Sequence, residues 1–258
     1  MTPPTSQEAT LGVRSTLDLK EPIQIMFKEA RDATPKSLAD DSWYLIVAAT
    51  LLSTDGGSHF GELFQYILQA QDNHSTPESR KRASRRLREV LGKGWTLTGI
   101  PRACDAHFSL SRVEGEDADL TTSDREKIVG GVNGKEAALA RTDEWFKNVF
   151  TGADHKRIWA STETNVDLTF TIKYTVYGLY LSDLAVFNPL ENELVMVSCV
   201  LSQGGRVASL SHLKGLRMLG VNASDAEGVQ RVIEIVAQWM GKKVDGWVQA
   251  SEVAHFFD

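Results

Sequence analysis

Glu193 and His212 are the residue types best suited to chemistry in this chain. They bracket two small residues at the spacing Glu193-x11-Gly205-x2-Ala208-x3-His212. Imidazole titrates near neutral pH and a carboxylate can orient it, so the pair could act as an acid and a base in proton transfer. A second reading stays open: a core histidine bonded to a neighbouring carboxylate, or Glu193 as an exposed first-turn acid favoured by the helix dipole. His59, at the head of a helical segment in the first half, is the candidate counterpart of His212, with Asp40 or Asp41 as its carboxylate. His107 and Cys104 share a helix face, but two ligands leave a zinc site incomplete. Trp43, Tyr44, Trp95, Tyr174, Tyr177 and Tyr180 read as core aromatics before ligand cage.

The two cysteines, Cys104 and Cys199, sit in the apolar helical patterns RACDAHFSL and LVMVSCVLS. That placement predicts buried, inert thiols in a reducing compartment. Familiar motifs fail on their own residues. Gly134-Lys135 is followed by Glu136, which excludes a phosphate loop, and Phe60 stands where a nucleophile elbow needs its closing glycine. There is no His-Glu-x-x-His, Gly-x-Gly-x-x-Gly or Cys-x-x-Cys run, so no cofactor and no metal is expected.

The elements that must position these residues are helical. At 258 residues with 42% hydrophobic content the chain can bury a full core as one body. A net charge of -6 gives no footprint for nucleic acid. The one basic run, Arg80 to Arg88, carries Ala83, Leu87, Val90 and Leu91 at helical spacing. It reads as a helix with a buried stripe and a solvated cationic face, an anionic partner being the lesser alternative. No segment reaches the roughly 18–20 apolar residues of a membrane span, and the first residues lack a secretory core. The expectation is a cytoplasmic protein, with the mitochondrial matrix second, and no membrane partner. Asn73-His74-Ser75 and Asn222-Ala223-Ser224 are then chance matches to a glycosylation pattern.

Residues 1–20 are polar and aperiodic and predict a flexible arm, leaving 21–258 as a single helical domain. Apolar helices are expected after Pro35 and through HFGELFQYILQAQ. A third begins at Pro77 and stops near Gly92-Lys93-Gly94, and a fourth starts at Pro101. Residues 114–134 read as an acidic loop or insertion, with insertion bounds of about 111–134. Val166, Leu168, Phe170 and Ile172 alternate as a strand would, yet a lone strand has no sheet to join, so helix is expected from about Phe170. Three segments follow Asn188-Pro189, the last opened by a Ser224/Glu227 capping box. The order apolar helix, Gly-Gly turn, histidine-bearing helix and further helix occurs twice, around Gly56-Gly57 and Gly204-Gly205. This predicts two repeats, about 35–110 and 170–245, packed as one body.

With these residues in view, the chain resembles the carboxymuconolactone decarboxylase and alkylhydroperoxidase D-like superfamily. The resemblance rests on the Glu193 to His212 spacing, Glu193-Leu194-Val195 opening a helix, His212-x7-Gly220, a helix ending at Gly241, and Gly99-Ile100-Pro101-Arg102-Ala103. It covers about 40–110 and 175–245. It implies an all-α, alkylhydroperoxidase D-like fold and a homo-oligomer. In the redox branch the positions of Gly205 and Ala208 hold the reactive cysteines, so thiol peroxidase activity is not expected. The decarboxylase branch implies a cofactor-independent enzyme of lyase, isomerase or cyclase type, acting on a small-molecule substrate through Glu193 and His212. The rival expectation is a non-catalytic assembly module on the same fold, using the basic 80–93 helix or the acidic 114–134 segment as contact surface.

Overall fold

The computed structural model describes residues 19–70, 76–119 and 124–256. Among them the backbone is all-helical, without a strand. Of the predicted flexible arm only Leu19 and Lys20 fall within the described residues, and Leu19 is buried. No helix among the described residues is long and apolar enough to cross a membrane.

The core is organised around two apolar helices. Helix α2 (Ser42–Ser53) is SWYLIVAATLLS, apolar on every side, and all its residues are buried. A helix without a polar face can only sit in the middle of other helices. Its neighbours are α10 (Pro189–Leu201), α12 (Ala223–Trp239) and α4 (Pro77–Thr98). Helix α10 is likewise buried from Glu191 to Leu201 and starts at a capping box between Asn188 and Glu191. The two meet through a hydroxyl pair, Ser53 Oγ to Ser202 Oγ at 2.7 Å. Around them pack α1 (Glu21–Ala33), whose stripe Ile23, Met26, Phe27 and Ala30 faces α12, then α3 (Phe60–Ala70), α5 (Ile100–Glu114) and α11 (Arg206–Met218). Helix α1 has no counterpart in the sequence reading.

Several boundaries differ from expectation. Helix α4 does not stop at Gly92-Lys93-Gly94 but continues to Thr98, where Gly99 at φ +92° turns the chain. Gly94 serves packing instead: a Cβ there would come 2.3 Å from Leu52 Cδ2, so the glycine lets α4 lie close against α2. The expected loop 114–134 contains a 3-10 turn at Gly115–Asp117 and a helix, α6 (Asp124–Gly130), before α7 (Gly134–Val149). The last long helix, α12, is capped by Asn222, whose side chain accepts from the Asp225 amide, not by the Ser224/Glu227 pair. The ambiguous stretch is helical from Val166, as α9 (Val166–Phe170), because Asn165 caps the Leu168 amide.

Helix α9 runs into an unexpected element, a π-helix over Thr171–Leu181. The i→i+5 pattern is rare and mostly confined to single turns, so eleven residues of it require outside support. That support is polar and specific. Thr142 donates to Lys173 O at 2.6 Å, Arg125 Nε to Leu179 O at 2.9 Å, Lys93 Nζ to Tyr180 O at 2.8 Å and Asn192 Nδ2 to Leu181 O at 2.6 Å. Two cations thus sit at the carbonyl-rich end of the helix, where its dipole favours them. Gly178 lets the element lie against α7, since a Cβ there would meet Ala138 O at 2.7 Å. A second core cluster fills the space beneath: Trp145, Phe146, Val149, Phe150, Leu181 and Met196.

The basic run is only in part the solvated face the sequence suggests. Its stripe Ala83, Leu87, Val90 and Leu91 is buried as expected. Arg86 is buried on Glu191 at 2.7 Å, Arg80 and Arg88 reach the buried acids Asp117 and Glu114, and Arg82, paired with Asp41, stays exposed with Lys81. Three of those acids come from α5 or later elements that neutralise the helix.

Candidate functional site

Helices α10 and α11 bring the two sequence-predicted residues together. Glu193 is fully buried and His212 keeps 4% exposure, with His212 Nδ1 2.8 Å from Glu193 Oε1. Glu193 is therefore not an exposed first-turn acid. It sits on the second turn of α10, one turn beyond the capping box, on the side that faces α11. With Glu193 ionised its oxygen accepts, which assigns the hydrogen to Nδ1 and, in the neutral ring, the lone pair to Nε2.

The close approach depends on Gly215, one turn after His212. A Cβ at that position would lie 2.4 Å from Glu193 Oε1 and 2.6 Å from Val149 Cγ1. Glycine is what allows α10, α11 and α7 to converge on the carboxylate. The other carboxylate oxygen, Glu193 Oε2, is buried and makes no hydrogen bond among the described residues.

Aromatic rings close the site from the α7 side. Phe150 presents its ring at 5.7 Å from that of His212, Phe146 packs on Phe150 and on Tyr177 of the π-helix, and Trp159 stacks on Phe146 at 4.6 Å. Burial, then the Glu193 carboxylate, push the Tyr177 phenol well above its ordinary range. Next to His212, Ser211 Oγ lies 3.4 Å from Arg157, and Lys214 reaches Asp154 at 3.4 Å. Both contacts come from α8 (Gly152–Thr162).

His59 is placed differently. Its Nδ1 lies 2.5 Å from Glu62 Oε2 and its ring meets Trp239 edge-on at 5.1 Å. The expected partners are wrong: Glu62, one turn ahead on α3, takes the imidazole, while Asp41 binds Arg82. The contacts of His59 do not include Glu193 or His212.

The two thiols part company. Cys199 is buried, its Sγ 3.7 Å from Ala49 O, and burial pushes its thiol up to about 12. Cys104 is exposed, contrary to expectation, because the buried face of α5 is Ala106, Leu110 and Val113. With His107 it lines an apolar groove of about 440 Å³ between α4 and α5, floored by Leu91, Trp95 and Ala103. No group of three or more His, Cys, Asp or Glu suited to a metal occurs among the described residues. Gly205 and Ala208 stand exposed at the start of α11.

Sequence reasoning missed the cation cluster that holds the π-helix. Lys93 is fully buried, donates to Tyr180 O and Asp183 O, and lies 3.3 Å from Glu89, which also pairs with Arg125. Asp183 binds Arg125 at 3.1 Å. Burial outweighs these acids and holds the Lys93 ammonium down at about 8. The glycines on either side of Lys93 were the misleading signal, since they read as a helix stop. The role of Tyr177 had no signal, because its position depends on the π register.

Family models, curated proteins and solved structures were compared with the chain, and none matches.

Proposed function

We propose that the chain is a cofactor-independent enzyme that moves a proton on a small organic substrate, in a reaction of lyase, isomerase or cyclase type. The observation that carries this reading is the buried Glu193–His212 pair, with one carboxylate oxygen fixing Nδ1 and the other unpartnered. Held in that way, Nε2 is the working atom: it takes a proton from a carbon acid or an enol and returns it to a neighbouring atom. Glu193 stabilises the charge that develops on the ring, as an adjacent carboxylate does for an imidazolium. The apolar surroundings exclude water and strengthen that interaction.

The assignment to a carboxymuconolactone decarboxylase-like, alkylhydroperoxidase D-like fold belongs to the same proposal and rests on the motifs quoted above. Thiol peroxidase chemistry is left out because the one thiol near α11, Cys199, is buried and kept protonated, while Gly205 and Ala208 carry no nucleophile. The assembly-module reading draws no support from its two named surfaces. Glu114 and Asp117 of the acidic segment pair with Arg88 and Arg80 of the basic helix, so part of each charge is spent within the molecule.

The test is solvent deuterium incorporation. A panel of carbon acids, lactones and enolisable carboxylates is incubated with the protein in deuterium oxide and read by mass spectrometry. At least one compound should take up deuterium with the wild type and lose at least about 100-fold in rate with His212→Gln, the scale of general acid–base catalysis. Uptake that is the same with His212→Gln would remove the proposed role.

A further inference from the structure

Residues 151–170 lie beside His212, through Arg157 to Ser211 and Asp154 to Lys214, and bury little of their own. Among α8 and α9 the single buried residue is Asp154, an acid; Ile158 and Trp159 are partly buried against the second core cluster, and α9 has no buried residue. Val166, Leu168 and Phe170 stand 75%, 45% and 47% exposed. A segment that hides so little apolar surface is held to the body by few stabilising contacts, and such segments open locally at low free-energy cost.

The polar contacts that tie it to α11 stand beside the histidine, while His155 packs on Phe146, Lys173 lies over the Trp159 ring and Lys135 over the Phe170 ring. Asp154 is the hub: Thr151 donates to it at 3.0 Å, Arg157 at 3.1 Å and Lys214 of α11 at 3.4 Å. Arg157 reaches Ser211, the neighbour of His212, and Trp159 stacks on Phe146. These partners hold the Asp154 carboxyl below its ordinary range despite its partial burial. Within the segment, Thr169 donates to Thr162 O at 2.7 Å, tying α9 back to α8.

We propose that residues 151–170 form a lid that swings as one unit about its junctions with α7 and the π-helix, latched by Asp154 on Lys214, and that its opening gives ligands access to His212. The proposal takes from the functional reading only that His212 must be reached. Its test does not read turnover, so the lid and the acid–base role fail independently.

The experiment uses the full chain and two probes. Hydrogen exchange followed by mass spectrometry should show the amides of 152–170 exchanging far ahead of those of α10 and α11, as one cooperative group. Diethyl pyrocarbonate modification, mapped by peptide, should find His212 slow in the wild type and roughly tenfold faster in Asp154→Asn, where the charged latch is lost. Lys214→Met, which breaks the same latch from the α11 side, should behave alike, and thermal melts of both variants identify any global unfolding. Equal protection of 152–170 and α11 would overturn the lid. So would a His212 rate that neither latch variant changes, whether that rate is slow or already fast.

Discussion

At the scale of the residue, the pair works because of what stands beside it. Glu193 and His212 were legible as types and spacing, since helical period put both on helices that an ordinary turn returns to each other. Their burial was not legible, nor was the choice between pairing and exposure, because that is settled by Val149, Phe150 and Tyr177 from elements far along the chain. Gly215 is the least conspicuous member of the site and the most exacting. Gly215→Ala adds one methyl where Glu193 Oε1 and Val149 already stand within 2.4 and 2.6 Å of the new atom. Overpacking of this kind costs about 1–3 kcal/mol. Denaturant unfolding should show that loss, although alanine is otherwise the better helix former. A variant as stable as the wild type would mean that α11 and α10 are not in contact as described.

At the scale of the element, the π-helix and its cations carry the argument. Periodicity predicts a helix in this region but has no means of reporting a change of register, and the i→i+5 pattern is held here by side chains from α4, α6, α7 and α10. Lys93 offers a test through pH. In the folded protein its proton is lost near pH 8, while in the unfolded chain the ordinary lysine value of 10.5 applies. Between those values the unfolded chain binds more protons, so raising the pH stabilises the fold through this residue. The difference in unfolding free energy between wild type and Lys93→Met should shift in favour of the wild type as pH rises from about 8 towards 10.5. A difference that stays flat, or shifts the other way, would show that Lys93 keeps its proton in the fold. The same helix shows why glycine misleads a reader of sequence: Gly92 and Gly94 resemble a stop, yet Gly94 is a packing contact against Leu52 inside a continuous α4.

At the scale of the whole molecule, α2 and α10 form the buried centre, and the other helices either build outward from them or close over the site. The all-helical class followed from the sequence, because apolar residues recur at helical spacing, as at Ala83, Leu87, Val90 and Leu91. The internal neutralisation of Arg80 to Arg88 did not follow, since ion pairs between Arg86 and Glu191, or Arg80 and Asp117, join positions whose proximity only the fold creates. The same convergence delivers one imidazole to one carboxylate, His212 Nδ1 to Glu193 Oε1. Nitrogen-15 NMR of ring-labelled histidine tests that claim most directly. The account predicts that the neutral ring of His212 carries its hydrogen on Nδ1, with a downfield acceptor-type signal from Nε2. A ring protonated on Nε2 instead would contradict it, because Nδ1 could not then donate to Glu193 and the proposed base would have no lone pair on Nε2.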